Sequence, residues 1–129
     1  MIAGLLVDTH LVLWARIMPE KLTAGERRTV DEARSCYVSA VSLWEIAILM
    51  VLKRVAQDER LLAVPDGFEL LPLLPDHCRS LVALPQRHRD PFDRMLIAQA
   101  RAEHLSLLTR DRAIIAYGDA GADVVTFDK

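Results

Sequence analysis

Cysteine is scarce in this chain. Cys36 and Cys78 are too few and too far apart for a disulfide framework or a zinc site. They read as small buried hydrophobes of a protein kept in a reducing compartment. Excess positive charge is lacking too: 16 Lys and Arg face 18 Asp and Glu, for a net charge of −2 at pH 7. Bulk electrostatics therefore cannot draw nucleic acid to the chain, and any such binding needs a local basic patch or bridging metal ions. Lysine is almost absent, with only Lys21, Lys53 and Lys129 beside the arginines. Arginine suits bidentate phosphate contact, and a GC-rich genome would give the same bias. No apolar run reaches the roughly 20 residues of a membrane span; residues 38–52 come nearest but carry Glu45 in their middle. Asp8 interrupts the first apolar run and no basic segment precedes it, so no export signal is expected and the protein is expected in the cytoplasm.

What is present is a globular balance. The chain has 129 residues, 52% hydrophobic and 26% charged, enough for one domain with a real core and too apolar for disorder. Strand-like and helix-like segments alternate, the pattern of an α/β fold with a mostly parallel sheet. Residues 2–7 read as a buried strand and 9–18 as a helix stopped by Pro19. Thr23-Ala-Gly-Glu26 is a capping-box signature opening a polar helix to about Ser35. A short strand follows at 36–39, then an apolar helix at 42–52 and a shorter one near 54–62. Residues 68–71 read as a strand between Pro65-Asp66-Gly67 and Pro72, and 75–84 as a short helix. After a basic loop at 86–90, Asp90-Pro91 starts a helix to about His104. Residues 106–109 form a strand, 112–117 a helix ended by Gly118, and 124–127 a last strand. Neither a repeat nor a linker interrupts this order, so one three-layer α/β domain is expected over residues 1–129.

Four acidic residues, Asp8, Glu45, Asp93 and Asp111, stand where predicted strands give way to helices. Each has a local explanation. Asp8 or Thr9 can cap the first helix, Ser42-Leu-Trp-Glu45 has the form of a capping box, Asp93 falls at the third position of a helix capped by Asp90, and Asp111 can cap the helix after it. Together they say more. In a parallel sheet the carboxyl ends of the strands share one edge, where ligands bind at the topological switch point. Carboxylates gathered there repel one another unless a cation lies between them. Open carboxylate sites that keep water suit Mg²⁺ or Mn²⁺. Arg87, His88, Arg89 and Arg94 flank Asp93, while Arg110 and Arg112 flank Asp111. Folded together, these arginines would form a positive rim suited to steering a polyanion, unless they pair locally with Asp90, Asp93, Glu103 and Asp111.

The motifs Leu6-Val-Asp8-Thr9-His10, Val38-Ser-Ala-Val-Ser42-Leu-Trp-Glu45-Ile-Ala-Ile, Arg89-Asp-Pro-Phe-Asp93-Arg-Met-Leu-Ile-Ala-Gln-Ala100 and Leu108-Thr-Arg-Asp111 resemble the PIN-domain family. More narrowly, they resemble the VapC-type toxins of prokaryotic toxin–antitoxin pairs, in order from about Leu5 to Phe127. The resemblance implies a metal-dependent endoribonuclease in which Asp8, Glu45, Asp93 and Asp111 form the metal site. Thr9 and Thr109 would be hydroxyls supporting it. It also implies a homodimer held inactive by a cognate antitoxin, and cleavage that leaves a 5′-phosphate and a 3′-hydroxyl. Asp8, Asp93 and Asp111 would hold one Mg²⁺ or Mn²⁺, and Glu45 would place a second ion or orient the attacking water. One departure stands out: residues 54–68 are shorter than this subfamily leads one to expect, and Lys53-Arg54-Val55 replaces a Gly-Lys-Leu-like step.

His10 and His88 are acid–base candidates, although packing or helix-start hydrogen bonding accounts for His10 more simply. Trp14 and Trp44 could stack on RNA bases, but both fall in apolar helical runs that favour core or dimer packing. Met18, Met50 and Met95 read as gap-fillers. Three rival functions have distinct requirements. An aspartyl phosphatase wants a carboxylate two residues after its nucleophile, where this chain has His10. A phospho-accepting signalling domain wants a late Lys, where Thr109-Arg110-Asp111 offers none. A non-catalytic RNA-binding or interaction module would leave the acidic quartet unused.

Overall fold

A computed structural model describes residues 3–85, 90–115 and 123–125. Five strands, β1 (Gly4–Val7), β2 (Ser35–Ser39), β3 (Phe68–Leu71), β4 (Ser106–Leu108) and β5 (Asp123–Val125), form one sheet in the order β3-β2-β1-β4-β5. Every adjacent pair is parallel. The helices are α1 (Thr9–Ile17), α2 (Ala24–Glu32), α3 (Ala40–Val51), α4 (Pro75–Ala83), α5 (Pro91–Ala102) and α6 (Arg112–Ile115), with 3₁₀ turns at Pro19–Lys21 and Glu59–Leu62.

Successive strand residues face opposite sides of the sheet, and the core divides accordingly. Leu6 and Leu107 join Leu96, Ile97 and Ala100 of α5 on one face. Leu5, Val7, Val38 and Leu108 join Leu11 and Val12 of α1 on the other. A third cluster, Leu13, Ile46, Met50 and Leu61, packs α3 on α1. The expected three layers and parallel sheet are thus present. Among the described residues, no helix is long and apolar enough to cross a membrane.

The strand order matters for function. From β1 the chain winds one way to β2 and β3, then returns to add β4 and β5 on the other side. The switch point lies between β1 and β4, where Val7 pairs with Leu108 and the Asp8 amide donates to the Leu108 carbonyl at 3.0 Å. A crevice at this point is the default ligand site of an open parallel sheet.

Several expectations need correction. The helix expected over 42–52 begins two residues earlier, because Ser39 rather than Ser42 caps it, its Oγ accepting from the Val41 amide at 3.0 Å. The helix expected near 54–62 reduces to the 3₁₀ turn Glu59–Leu62. The cause lies at Lys53, whose φ of 59° stops α3. The Arg54 amide reaches the Leu49 carbonyl and the Lys53 amide the Met50 carbonyl, both at 2.9 Å, a Schellman ending. A lysine bears the left-handed conformation that a glycine would adopt without steric cost, at about 1–2 kcal/mol. The same ending stops α5, with His104 at φ 56° and the Leu105 amide on the Ala100 carbonyl. Cys36 is buried as expected, whereas Cys78 is exposed on α4. Trp44 is 60% exposed and meets Phe92 edge-on instead of entering the core, and Met18 is also exposed. Gly118 lies outside the described residues.

A buried polar chain ties the helices behind this edge together. Ser39 Oγ donates to Gln99 Oε1 at 2.6 Å, and Gln99 Nε2 donates to the Pro72 carbonyl at 3.3 Å. His77, fully buried, accepts the Leu74 amide at Nδ1, so its ring proton sits on Nε2 and is donated to Glu103 at 2.7 Å. Each such group, if left without its partner, would cost about 1–3 kcal/mol. The chain thereby sets α5 against the start of α3.

Candidate active site

Asp8 follows β1 and caps α1. Its Oδ1 accepts from the His10 amide at 3.1 Å and its Oδ2 from Thr109 Oγ at 2.5 Å, and the residue is only 3% exposed. Burial pushes its carboxyl up. The Thr109 and His10 hydrogen bonds oppose that shift without cancelling it, and the Asp111 charge adds to it. Thr109, fully buried after β4, joins two of the expected acids: its hydroxyl donates to Asp8 and accepts from the Asp111 amide at 3.0 Å. Asp111 in turn offers its carbonyl to the Ile114 and Ile115 amides at the start of α6.

Glu45 does not stand at a strand end or in a capping box. It is the sixth residue of α3 and half-buried. Its Oε1 is buried without a hydrogen-bond partner among the described residues. Burial raises its pKa, the Thr9 hydroxyl works against that, and the charges of Asp90 and Asp8 add to it. Thr9 Oγ lies 2.7 Å from Ser42 Oγ, so the α1 start is pinned to α3 beside Glu45. Asp93 is the third residue of α5 and 6% exposed; Asp90 caps that helix, taking the Phe92 amide at 2.9 Å and the Asp93 amide at 3.3 Å.

Asp8 and Asp111 thus sit together through Thr109, and Glu45 feels the charge of Asp8. The four carboxylates do not close into a single coordination sphere: among the described residues, no three His, Cys, Asp or Glu side chains gather as a metal-holding group. The sequence reading missed Asp90 as a second negative charge acting on Glu45. Its role as N-cap was legible and hid the other.

Among the described residues, Arg94 and Arg110 do not join the expected open rim. Arg94 is buried, with its guanidinium on the Pro85 and Leu81 carbonyls. Arg110 binds Glu26 through Nε at 2.8 Å and Nη2 at 2.6 Å, and its guanidinium lies 4.8 Å from the Trp14 ring centre. This partner, 84 residues away, is none of the acids expected to pair locally. Glu26 also completes the Thr23 capping box. Arg112 is exposed, while Arg87, His88 and Arg89 lie outside the described residues. A cleft of about 280 Å³, lined by Asp8, His10, Leu11, Trp14, Arg110 and Asp111, opens at the switch point.

A family profile described as PIN domain matches residues 5–120. The chain is a PIN domain. It is 31% identical over 121 residues to Ribonuclease VapC22 of Mycobacterium tuberculosis (strain ATCC 25618 / H37Rv), an alignment spanning 84% of this chain and 88% of that relative. This places the PIN domain with the VapC type, as its motifs led one to expect. Its fold is shared with VapBC2 from Rickettsia felis bound to a promoter DNA fragment (TM-score 0.71, 12% identity, 97% of this chain and 99% of that chain). It is shared equally with DNA-bound VapBC from Salmonella typhimurium (TM-score 0.71, 16% identity, 97% and 98%).

Proposed function

We propose that this PIN domain is a Mg²⁺- or Mn²⁺-dependent endoribonuclease, the cytoplasmic toxin of a type II toxin–antitoxin pair. The observation that carries the reading is the Asp8–Thr109–Asp111 arrangement at the switch point, with a half-buried Glu45 that feels the charge of Asp8. Keeping carboxylates there against desolvation and mutual repulsion is costly to the apo protein, and a cation removes the cost.

The donors fit such an ion. All are carboxylates, and one buried Glu45 oxygen has no donor among the described residues. A set that does not close around the ion suits Mg²⁺, which keeps several waters. Asp8, Asp93 and Asp111 would hold it directly or through water, with Glu45 beside them. When bound, such an ion lowers the pKa of a coordinated water and offsets charge on the phosphate. The protein's own part is positional. Thr109 fixes the Asp8 carboxylate, Thr9 and Ser42 fix the α1–α3 junction, and the Glu45 carboxylate would orient the attacking water. Arg112, together with Arg87 and Arg89, would meet the RNA backbone. Arg94 and Arg110, given their partners, act on it only indirectly.

Cleavage of a defined RNA panel with Mn²⁺ tests the reading, with EDTA and Asp93→Asn as controls. Discrete fragments lost in both controls are expected. Equal cleavage by Asp93→Asn would assign the activity to a contaminant, and RNA binding that persists in EDTA with no cleavage would favour a non-catalytic module. Inhibition by the product of an adjacent gene would support the antitoxin partner, which the VapBC neighbours suggest.

We further propose a homodimer through the outer face of α3, where Trp44, Val51 and Leu52 are 60%, 77% and 56% exposed. Their spacing puts them on one stripe. Light scattering is expected to give twice the chain mass for the parent and a monomer for Trp44→Glu; a parent monomer at high concentration would remove the dimer.

A further inference from the structure

The cleft at Asp8 and Asp111 has two chemically different kinds of lining. One is the carboxylates. The other is His10, Leu11, Trp14 and Arg110, flat or apolar groups, with His10 Nδ1 4.0 Å from Asp8 Oδ1. Glu26 offsets the charge of Arg110 and takes its Nε and Nη2 donors, Nη2 also meets the Lys21 carbonyl at 2.7 Å, and the guanidinium lies against the Trp14 indole. An arginine whose bidentate edge is already engaged makes a poor phosphate clamp. Held in place by hydrogen bonds and backed by an aromatic ring, it makes a good stacking platform. Lys21 Nζ, 5.1 Å from the same ring centre, adds to the support of the indole.

His10 supplies the second surface. It sits one helical turn before Trp14 on α1, with its ring 6.1 Å from the indole and tilted by 55°. Its side chain is 57% exposed. Its backbone amide caps on Asp8, which fixes where the ring emerges. An exposed imidazole in the cleft lining, beside the indole that carries the Arg110 guanidinium, offers a face to a single unstacked base.

We propose that this part of the cleft lining is a nucleobase subsite. It stacks one base of single-stranded RNA on His10 and the Arg110–Trp14 pair, beside the phosphate presented to Asp8 and Asp111. The proposal rests on the ribonuclease reading and gives that site a reason to prefer RNA with an accessible base over a bare phosphodiester. It also assigns Arg110 to base contact rather than to the phosphate rim that its sequence position suggested. Base–aromatic stacking predicts an affinity ratio of about 5- to 150-fold, corresponding to about 1–3 kcal/mol.

The test compares a fluorescein-labelled RNA octamer with an octamer of abasic ribose phosphate. Both are titrated by anisotropy with Mg²⁺ into the full chain carrying Asp93→Asn, with and without a change at His10. The RNA is expected to bind at least about fivefold more tightly than the abasic chain. His10→Ala is expected to erase most of that ratio while leaving abasic binding unchanged, and His10→Phe, which stacks but carries no ring nitrogen, is expected to restore it. Equal binding of the two octamers, or an undiminished ratio in His10→Ala, overturns the subsite. If the parent cleaves RNA with Mn²⁺ and still shows no base preference, the subsite fails alone. If neither octamer binds and no RNA is cleaved, the ribonuclease reading fails and takes the subsite with it.

Discussion

In metal-free buffer at pH 7, Asp8→Asn is expected to melt at a higher temperature than the parent chain, while losing more than about a hundredfold in RNA cleavage. The loss exceeds the roughly 10–100-fold cost of disturbing a group that only orients a metal ligand. The gain in stability follows from burial. Desolvation raises the Asp8 carboxyl above its ordinary value, so between the unfolded and the folded values the native state holds a proton that the unfolded chain has released. Stability contributed by that proton is present at low pH and falls as pH rises from the unfolded value through the folded one. Glu45 shifts in the same direction for the same first reason. Asparagine keeps a side-chain acceptor for the helix cap and carries no charge to desolvate. As pH rises from the unfolded carboxylate value, roughly pH 4, toward neutrality, the parent should therefore lose more stability than the variant.

Metal reverses the order. A ligand that binds only the folded state stabilises by about 2.7 kcal/mol at a hundred times its dissociation constant, on the order of 10 °C for a domain of this size. Saturating Mn²⁺ should raise the parent's melting temperature by that order and the variant's far less. Calorimetry across this pH range with and without Mn²⁺ reads both effects. Equal Mn²⁺ stabilisation of the two proteins would remove Asp8 from the ion's donors.

Much of the fold was legible because its signals are local. Residues 68–71 read as a strand from their apolar run between turn residues, and the strand stands there, entered through Gly67 at a φ of 83°. Asp90-Pro-Phe-Asp93 names its own helix start, and the hydrogen bonds agree with it. Asp8 and Asp111 were placed by the ends of strands, and the parallel register of β1 and β4 then puts them side by side. The failures have a common cause, since each depended on a partner distant in sequence or on the third dimension. Ser39 and Ser42 look equally good as caps, and only the β2 end point decides between them. Trp44 and Ile46 share an apolar run, yet one is exposed and the other buried because α3 packs on α1 with a single face. Glu45 was read as a cap residue, and its unpartnered oxygen emerges only when α3 begins at Ala40 and carries the side chain a full turn further along the helix.

The Glu26–Arg110 pair is the clearest of these long-range effects, and Glu26→Gln is expected to destabilise the protein by about 2 kcal/mol at pH 7. A fully buried pair that loses one partner costs about 3–5 kcal/mol. Here Glu26 is 1% exposed but the Arg110 side chain is 31% exposed, so water recovers part of that loss. Burial alone would raise the Glu26 pKa; the hydrogen bonds and charge of Arg110, with the Thr23 amide, outweigh it and the net shift is downward. The sign is opposite to that of Asp8. Stability from Glu26 is present above the unfolded carboxylate value and disappears as pH falls through the folded one. Urea unfolding should show the difference between parent and variant shrinking below about pH 4. Because Arg110 precedes Asp111 and braces Trp14, the same variant should lower cleavage at temperatures where it remains folded and change Trp14 fluorescence. A variant as stable as the parent at pH 7, with no change at acid pH, would mean that the capping box alone holds the start of α2 and that the ion pair contributes nothing to the site.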